Sequence, residues 1–350
     1  FLTEKVNFPH VPKFIGAIEL NYGKKDSIVL GMMQDLVPNH GDSWTYINDS
    51  LKRYFERVMS HDGLENMYPT LGNLSEPARF DDIPEELQNL IGGGYVERVN
   101  LLGQRTGEMH IALNSKQDNT DFEPEAFSLH YQRSLFSSLT SLVRGTFQSL
   151  EKNLKKLSPA AQVEAKEVLD MRTEVLECLK LIFAEKITTM KIRTHGDYHL
   201  GQVLFTGKDF VIIDFEGEPA RAFSERRLKR SPLRDVAGMI RSFHYAAYNA
   251  LFNINGIREE DQEHLEQWAE QWYHYISGFY IDSYLNKVAG SDFIPEDKKH
   301  LDILIQTFLL EKAIYEINYE LNNRPDWITI PLRGIKYIMR RYLHGEEKRK

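Results

Sequence analysis

The spacing of apolar residues predicts a small hairpin at the start of the chain and a long helical body after it. Short apolar runs at 14–20 and 28–33 are separated by a charged turn that contains Gly23, a pattern typical of a β-hairpin. From residue 42 onwards the apolar residues recur three and four positions apart, beginning with a helix predicted over 44–60. The pattern therefore changes from strand to helix near residue 40.

Helical periodicity continues through most of the remaining chain. Further helices are predicted over 95–114, 124–155, 159–186, 233–251, 260–288, 296–322 and 333–344. Pro124 and Pro159 stand at the predicted starts of two of these helices, a position that tolerates proline. Residues 66–92, with their three prolines, are predicted to be irregular, and the glycines at 92–94 are predicted to form a flexible connector.

One β-rich island interrupts the helices between residues 193 and 217. A second hairpin is predicted here, running from "QVLF" through a turn at 206–209 to "FVIIDF". The stretch that leads into it, "RTHGDYHLGQ", carries two histidines, two glycines and one acid. Because loops on a rigid scaffold often carry function, this loop is the first candidate for a functional site.

Two carboxylates and one amide are predicted to converge at this second hairpin. Asp197 and Gln202 lie five residues apart on the loop, and Asp214 follows the second strand. Because the hairpin folds the chain back, we expect Asp214 to approach the loop. Carboxylate and amide oxygens are hard ligands that suit Mg²⁺ better than Zn²⁺.

Phosphoryl transfer needs this combination of groups. One carboxylate orients the acceptor hydroxyl and takes its proton, while another carboxylate and an amide hold Mg²⁺ on the phosphates of ATP. The catalytic loop of protein kinases also places its amide residue five positions after its aspartate. Asp197 and Gln202 match that spacing. The pattern therefore favours phosphoryl transfer over a zinc site or a simple polar turn.

The histidines and a second polar motif have simpler interpretations. His195, beside Gly196, is interpreted as a brace that holds the loop by hydrogen bonds. A zinc site made by His195 and His199 would need a helix to bring them onto one face, and the neighbouring glycines oppose a helix. Asp42, in another His-Gly-Asp triplet, is interpreted as a helix N-cap because no strand and second aspartate follow it.

Composition narrows the class of protein. The 350 residues are 42% apolar and 27% charged with a formal net charge of −8, which suits a globular protein and does not favour a nucleic-acid partner. The single cysteine, Cys178, allows no internal disulfide and favours a reducing, cytoplasmic compartment. No apolar run approaches the roughly 18 residues that cross a bilayer, so no membrane partner is expected. The first residue is not Met, and we interpret the start as lying inside a domain.

Three segments of the chain carry a family resemblance. They are "HGDYHLGQVLF", "VIIDFEGEPARAFSERRLKRSPLRDVAGMIRSFHYAA" and "LLEKAIYEINYELNNRPDWITIPLRGI". These segments resemble the maltokinases, ATP-dependent sugar kinases related to the aminoglycoside phosphotransferases. The resemblance implies an α+β, protein-kinase-like fold. Residues 1–38 would be a truncated β-rich N-lobe with the hinge, and residues 39–350 would be the helical C-lobe.

The resemblance also implies roles for individual residues. Asp197 would be the catalytic base, and Gln202 and Asp214 would bind Mg²⁺. Asp235, at the start of a helix, would brace the backbone of the catalytic loop. The hinge, whose backbone would pair with the adenine of ATP, would comprise Gln34, Asp35, Leu36 and Val37.

A sugar-binding wall is expected towards the end of the chain. Its residues would be Glu311, Tyr315, Tyr319, Arg324 and Trp327. The first three are spaced four residues apart, so they share one face of the helix predicted over 296–322. Aromatic rings stack on sugars, while carboxylates and guanidinium groups bind their hydroxyls. Glu108 and His110 form a second candidate wall.

The resulting hypothesis is phosphorylation of maltose by ATP to give maltose 1-phosphate, with a trehalose synthase domain as a fused or associated partner. The phosphate-covering loop, the strand lysine and the helix glutamate of a kinase N-lobe cannot be placed in this sequence, so we expect the chain to be incomplete on its own. Two alternatives stay open. One is a phosphotransferase for aminoglycosides or other small molecules, and the other is a non-catalytic domain that binds a trehalose synthase.

Overall fold

A two-stranded antiparallel sheet comes first in the chain, and a helical body follows it. The computed structural model describes residues 1–21, 27–60, 74, 77, 79–115, 119–254 and 259–347. The sheet joins β1 (Phe14–Leu20) and β2 (Ile28–Gln34), which lie where the apolar runs predict them. Most of its apolar side chains face outwards, including Ile18 at 70% exposure and Leu30 at 63%.

The helical body is built around one buried helix. In the described residues the helices are α1 (Ser43–Met59), α2 (Glu85–Ile91), α3 (Gly93–Leu113), α4 (Leu129–Asn153), α5 (Pro159–Asp170), α6 (Arg172–Lys180), α7 (Phe223–Arg226), α8 (Leu233–Phe252), α9 (Glu259–Lys287), α10 (Lys298–Asn323) and α11 (Thr329–Glu347). The central helix, α8, is buried along nearly its whole length and packs against α1, α9 and α10. The predicted α+β class, mainly helical with small sheets, is confirmed. None of the described helices combines the length and the apolar character needed to span a bilayer.

Capping explains where the first long helices begin. The Asp42 carboxylate accepts the Thr45 backbone N–H at 2.9 Å, so Asp42 is the N-cap of α1, as predicted. The helix predicted over 124–155 begins later, at α4. Residues beyond Pro124 instead form a short strand, β3 (Glu125–Ala126), which pairs with β4 (Met190–Lys191). The backbone of that strand is thus already paired before the helix begins.

Two other sequence predictions need correction. The helix predicted over 159–186 breaks at Met171, where ψ is 6° and the N–H bonds to the carbonyls of both Glu167 and Val168. It therefore forms α5 and α6 and ends before residue 186. The described part of the segment predicted to be irregular, 66–92, contains α2, because Pro84 stands at its N-cap and leaves the following turns free to form.

A second hairpin lies inside the helical body, as predicted. It joins β5 (Val203–Phe205) to β6 (Phe210–Ile212), and the turn is closed by the Thr206 N–H donating to the Asp209 carbonyl at 2.9 Å. Its inward side chains, Val203, Phe210 and Ile212, are buried in the main core.

Both edges of this second hairpin are covered by other parts of the chain. Phe205 exchanges backbone hydrogen bonds with the segment before α1: its carbonyl accepts the His40 N–H at 2.8 Å, and its N–H donates to the Gly41 carbonyl at 2.9 Å. On the other edge, the Ile212 N–H donates to the His10 carbonyl at 2.8 Å. The hairpin therefore has a fixed place in the body although its strands are short.

Candidate active site

Asp197 lies on a loop that is pressed tightly against the helical core. Gly196 has φ +90°, and a Cβ there would lie 3.1 Å from the Gly217 Cα. On the other side, a Cβ at Gly238 of α8 would lie 2.6 Å from the Tyr198 carbonyl oxygen. Glycine is favoured at Gly196 by its left-handed backbone, and it is needed at Gly238 because a side chain there would push the loop away from α8.

A buried carboxylate fixes the backbone of this loop. Asp235 accepts the His195 N–H at 2.7 Å and the Gly196 N–H at 3.0 Å, and it also lies 3.1 Å from the His110 ring nitrogen. Burial alone would raise the pKa of Asp235, but the hydrogen bonds from His110 and from the Gly196 N–H help to outweigh it and lower that pKa. An ionised Asp235 thus satisfies two loop amides that would otherwise be unpaired in the core.

The His195 ring joins the loop to the second hairpin. Its Nε2 lies 2.8 Å from the Ile213 carbonyl oxygen, and its Nδ1 lies 3.4 Å from the Asp197 backbone nitrogen. Burial lowers the pKa of His195, which keeps the ring neutral near pH 7. Since a carbonyl only accepts, Nε2 carries the proton and Nδ1 is the acceptor. The ring therefore links the residue before Asp214 to Asp197 itself.

A zinc site at the two histidines finds no support in this geometry. His199 accepts the Gly201 N–H through Nδ1 at 3.1 Å, while both ring nitrogens of His195 face backbone groups. Within the described ranges, no group of three or more His, Cys, Asp or Glu side chains could hold a metal ion. The histidine rings instead organise the loop.

Gln202 and Asp214 meet across the second hairpin. The Gln202 Nε2 donates to an Asp214 carboxylate oxygen at 2.9 Å, and the Ile213 N–H donates to the Gln202 carbonyl at 3.0 Å. Asp214 has φ +63°, a left-handed conformation that aspartate adopts more readily than most residues. This turn brings its carboxylate back towards Gln202. The amide nitrogen faces the carboxylate here, and a half-turn of the amide would place its oxygen beside the carboxylate instead, a donor pair whose chemistry fits Mg²⁺.

Asp197 faces a cavity together with two charged residues that the sequence reasoning missed. The Lys312 Nζ lies 3.8 Å from Asp197 Oδ1 and 3.6 Å from Glu218 Oε2. His199 Nε2 lies 3.8 Å from the other Asp197 oxygen. Lys312 follows Glu311 and lies three residues before Tyr315, so its helical spacing could have placed it beside the predicted wall. Nothing in the local pattern points to Glu218.

The structure divides the predicted sugar wall into two parts. Glu311 and Tyr315 line the cavity that holds Asp197. The Glu311 carboxylate pairs with Arg234 at 2.5 Å and lies 3.8 Å from Arg221. Burial, together with the adjacent Glu218 carboxylate, raises the pKa of Tyr315 to about 12. This first part therefore combines an aromatic ring with hydrogen-bonding groups beside the loop.

The second part of the wall is a separate cluster on the outer surface. The Arg324 guanidinium lies 4.6 Å from the centre of the Trp327 ring and 5.4 Å from that of Tyr319, and it bonds to Glu320 at 2.8 Å. Tyr319 is 45% exposed. These residues are absent from the described lining of the Asp197 cavity. Along the chain, Tyr319, Arg324 and Trp327 all lie at least one helical turn after Tyr315.

The second candidate wall, Glu108 and His110, does not line the Asp197 cavity. His110 is fully buried beneath Asp235. The Glu108 carboxylate lies 2.8 Å from both the Arg105 guanidinium and the Lys287 ammonium. The Lys287 contact joins α3 to α9, and His110 supports the loop through Asp235, so the two residues have separate structural contacts outside the Asp197 cavity.

The residues of the predicted hinge continue from β2 towards α1. The Asp35 N–H donates to the Lys13 carbonyl at 2.8 Å, which extends the first sheet by one step. Leu36 is 91% exposed, and the Val37 carbonyl accepts the Asn39 side-chain amide at 2.9 Å. Gln34 donates weakly to the Pro12 carbonyl at 3.5 Å. The segment is therefore extended.

A second, more apolar cavity lies beside this segment. Its lining includes Phe14, Met32, Gln34 and Phe215, a mixture that suits a flat apolar ring with a polar edge. Thr194 lines both this cavity and the one that holds Asp197. The two cavities therefore adjoin at the start of the loop that carries Asp197.

Comparisons with known proteins were made with sequences and with solved structures. The chain is 25% identical over 143 residues to a glucosamine kinase of Streptacidiphilus jiangxiensis, a match covering 41% of this chain and 30% of the relative. It is 37% identical over 166 residues to a glucosamine kinase of Mycolicibacterium smegmatis (strain ATCC 700084 / mc(2)155), covering 47% of this chain and 39% of the relative. The matches thus span less than half of either relative. No family model matches the chain.

The likeness among solved structures extends over nearly the whole chain. A glucosamine kinase in complex with glucosamine, ADP and inorganic phosphate aligns with a TM-score of 0.69 and 17% identity, over 99% of this chain and 72% of that one. A second crystal form of glucosamine kinase aligns with a TM-score of 0.67 at the same identity, over 97% and 68%. At this level of identity the likeness shows the fold, which is the kinase-like fold of those proteins.

Proposed function

We propose that this chain carries the acceptor site and phosphoryl-transfer loop of an ATP-dependent sugar kinase. The main support is one juxtaposition. Asp197 faces a cavity, and the hairpin beside it brings Gln202 and Asp214 within 2.9 Å of each other. The glucosamine kinases that resemble the chain in sequence and fold phosphorylate a sugar, as their names state. That agreement favours a kinase over a non-catalytic domain.

In the proposed mechanism, the residues of the chain hold the reacting groups in place. The Asp197 carboxylate orients a sugar hydroxyl and accepts its proton as that oxygen attacks the γ-phosphorus of ATP, while the bond from this phosphorus to the β–γ bridging oxygen breaks and ADP leaves. When bound by Gln202 and Asp214, Mg²⁺ would neutralise charge on the phosphates. Asp235 and the neutral His195 keep the loop and the hairpin in register, so that the base and the metal-binding side chains keep their spacing.

The apolar cavity is proposed to take the adenine of ATP. Gln34 lines this cavity, and the backbone of Gln34, Asp35, Leu36 and Val37 would pair with the polar edge of the adenine. Because Thr194 lines both cavities, a nucleotide whose base lies in the apolar one would extend its phosphates towards Asp197. This arrangement agrees with the predicted order of hinge, catalytic loop and metal-binding hairpin.

A neutral sugar, with maltose as the first candidate, fits the charges that line the Asp197 cavity. Its described lining carries the acids Asp197, Glu218, Glu225, Asp235 and Glu311 and the bases Arg221, Arg226, Arg230, Arg234 and Lys312. These five acids and five bases balance, so the cavity has no excess negative charge for a cationic acceptor such as an aminoglycoside. The second ring of a disaccharide could extend along α10 towards the Tyr319 and Arg324 cluster.

Glucosamine is the second candidate because the relatives are named for it. Its amino group would need a carboxylate that is not already paired. A trehalose synthase partner has no support among these relatives.

A substrate panel tests this proposal. The protein would be incubated with Mg²⁺, ATP and, separately, maltose, glucose, glucosamine and kanamycin, and new phosphoesters would be followed by ³¹P NMR. We expect ATP-dependent phosphorylation of at least one sugar, with maltose ahead of glucosamine. Phosphorylation of kanamycin alone would contradict the sugar assignment. Binding of sugar without any transfer would favour the non-catalytic alternative.

A further inference from the structure

One cation of the Asp197 cavity lies beside the proposed base. The Lys312 ammonium lies between two carboxylates, 3.8 Å from Asp197 and 3.6 Å from Glu218. It also lies 5.3 Å from the centre of the Tyr315 ring, over its face. All four side chains line the same cavity, and all are partly buried. The ammonium therefore occupies the place where two negative charges would otherwise attract a cationic group.

We propose that Lys312 determines which sugars the site accepts, by favouring neutral sugars over amino sugars. This inference rests on the proposed sugar kinase activity. A protonated amino sugar would be drawn to the pocket between Asp197 and Glu218, the same pocket that the Lys312 ammonium fills. Two like charges at such distances repel, and partial burial strengthens the repulsion. A sugar hydroxyl at the same place meets a hydrogen-bond donor and acceptors and suffers no repulsion.

Of the three other acids in the described lining, Glu225 is exposed to solvent, and the remaining two are already engaged. Glu311 already bonds to Arg234 at 2.5 Å and lies near Arg221. Asp235 is buried beneath the loop, where it accepts the backbone N–H groups of His195 and Gly196. Selectivity for charge therefore depends mainly on the ammonium of Lys312.

The test uses two sugars that differ only at carbon 2, glucose and glucosamine. Lys312→Met removes the charge and keeps most of the volume, and Lys312→Arg is the matched control that keeps the charge. For each protein we would measure kcat/KM for both sugars with saturating Mg-ATP. The ratio of the two values cancels any general damage to Asp197, because such damage lowers both by the same factor.

We expect Lys312→Met to shift this ratio towards glucosamine by about tenfold or more, and Lys312→Arg to leave it within about threefold of wild type. Adding Glu218→Gln to Lys312→Met should reverse much of the shift, because it removes one of the freed carboxylates. An equal loss for both sugars in Lys312→Met would overturn the proposal and reduce Lys312 to a structural residue.

Binding measurements keep the proposal testable if a variant is unstable or transfer is slow. Calorimetric titration of the wild-type protein with each sugar should give weaker binding for glucosamine than for glucose. Equal or tighter binding of glucosamine would contradict the role of Lys312 whatever the variants do. By contrast, if wild type transfers phosphate to no sugar but still discriminates in binding, the proposed kinase activity fails and the charge selectivity stands.

Discussion

The two hairpins of this chain have opposite relations to the rest of the molecule. The first, β1 with β2, has strands of seven residues, yet its apolar side chains are mostly exposed. The second, β5 with β6, has strands of only three residues, yet Val203, Phe210 and Ile212 are buried. Strand length therefore does not decide how firmly a hairpin is held. Contacts with other elements decide it.

The second hairpin is fixed at its turn as well as at its edges. Arg105 of α3 forms two hydrogen bonds of 2.8 Å with the Asp209 carboxylate, one to each oxygen. At the open end, the His195 ring lies 2.8 Å from the Ile213 carbonyl. The residues proposed to bind Mg²⁺ stand at this open end, so the clamps hold them where the proposed chemistry needs them.

The largest effect on stability is expected where the loop before the second hairpin meets the core. Asp235→Ala should lower the free energy of unfolding by about 3–5 kcal/mol, because two buried N–H groups and the His110 ring lose their common acceptor. Urea unfolding would measure this change in the free energy of unfolding. Asp326→Ala, at an exposed carboxylate, is the control and should stay within about 0.5 kcal/mol of wild type. Similar values for both would refute the anchoring role of Asp235.

The same substitution in each hairpin makes the comparison quantitative. Ile212 is 0% exposed in β6 and Ile18 is 70% exposed in β1. Ile212→Ala should lower the free energy of unfolding by about 2–5 kcal/mol through lost burial and a cavity, whereas Ile18→Ala should change it by less than about 0.5 kcal/mol. Chemical denaturation of both variants would measure the two changes in the free energy of unfolding. Comparable losses would mean that the first sheet is also covered by packing in solution.

The smallest expected effect is a pH dependence that arises at the second hairpin. Because burial lowers the pKa of His195 below its ordinary value of 6.5, the unfolded chain binds this proton at a higher pH than the folded chain. Stability should therefore fall as pH drops below 6.5. One such histidine contributes a slope of at most about 1.4 kcal/mol per pH unit.

The variant His195→Gln tests this contribution, since a glutamine can still donate to the Ile213 carbonyl but does not titrate. The free energy of unfolding, measured between pH 5 and 6.5, should vary less steeply with pH in His195→Gln than in wild type. His130→Gln, at an exposed position on α4, is the control for losing an imidazole. An unchanged slope in His195→Gln would show that His195 is charged in the folded protein.

Much of the fold could be predicted from sequence because local patterns determine it. Helical periodicity places α1, α8 and α10 within a few residues, and the turn at 206–209 gives the second hairpin. The helix predicted from Pro124 was wrong at its start because β3 pairs with β4, a contact between residues 66 positions apart in the chain. No local pattern contains such a pairing.

The candidate site could also be predicted only in part from local sequence patterns. The spacing of Asp197, Gln202 and Asp214 predicts that their side chains converge at the second hairpin. The structure brings Gln202 and Asp214 within hydrogen-bonding distance. The sugar wall was inferred from one helical face, yet only Glu311 and Tyr315 reach the Asp197 cavity. A helix turns away from a small pocket within about two turns, since each turn advances about 5.4 Å.

The most direct test of the whole account is the rate of phosphoryl transfer by Asp197→Asn. Asparagine keeps the size and one oxygen of the side chain but cannot take the proton of the sugar hydroxyl. With the preferred sugar and saturating Mg-ATP, we expect kcat to fall by about 10²–10⁴-fold while the variant stays folded. A kcat within about threefold of wild type would contradict the assignment of Asp197 as the catalytic base.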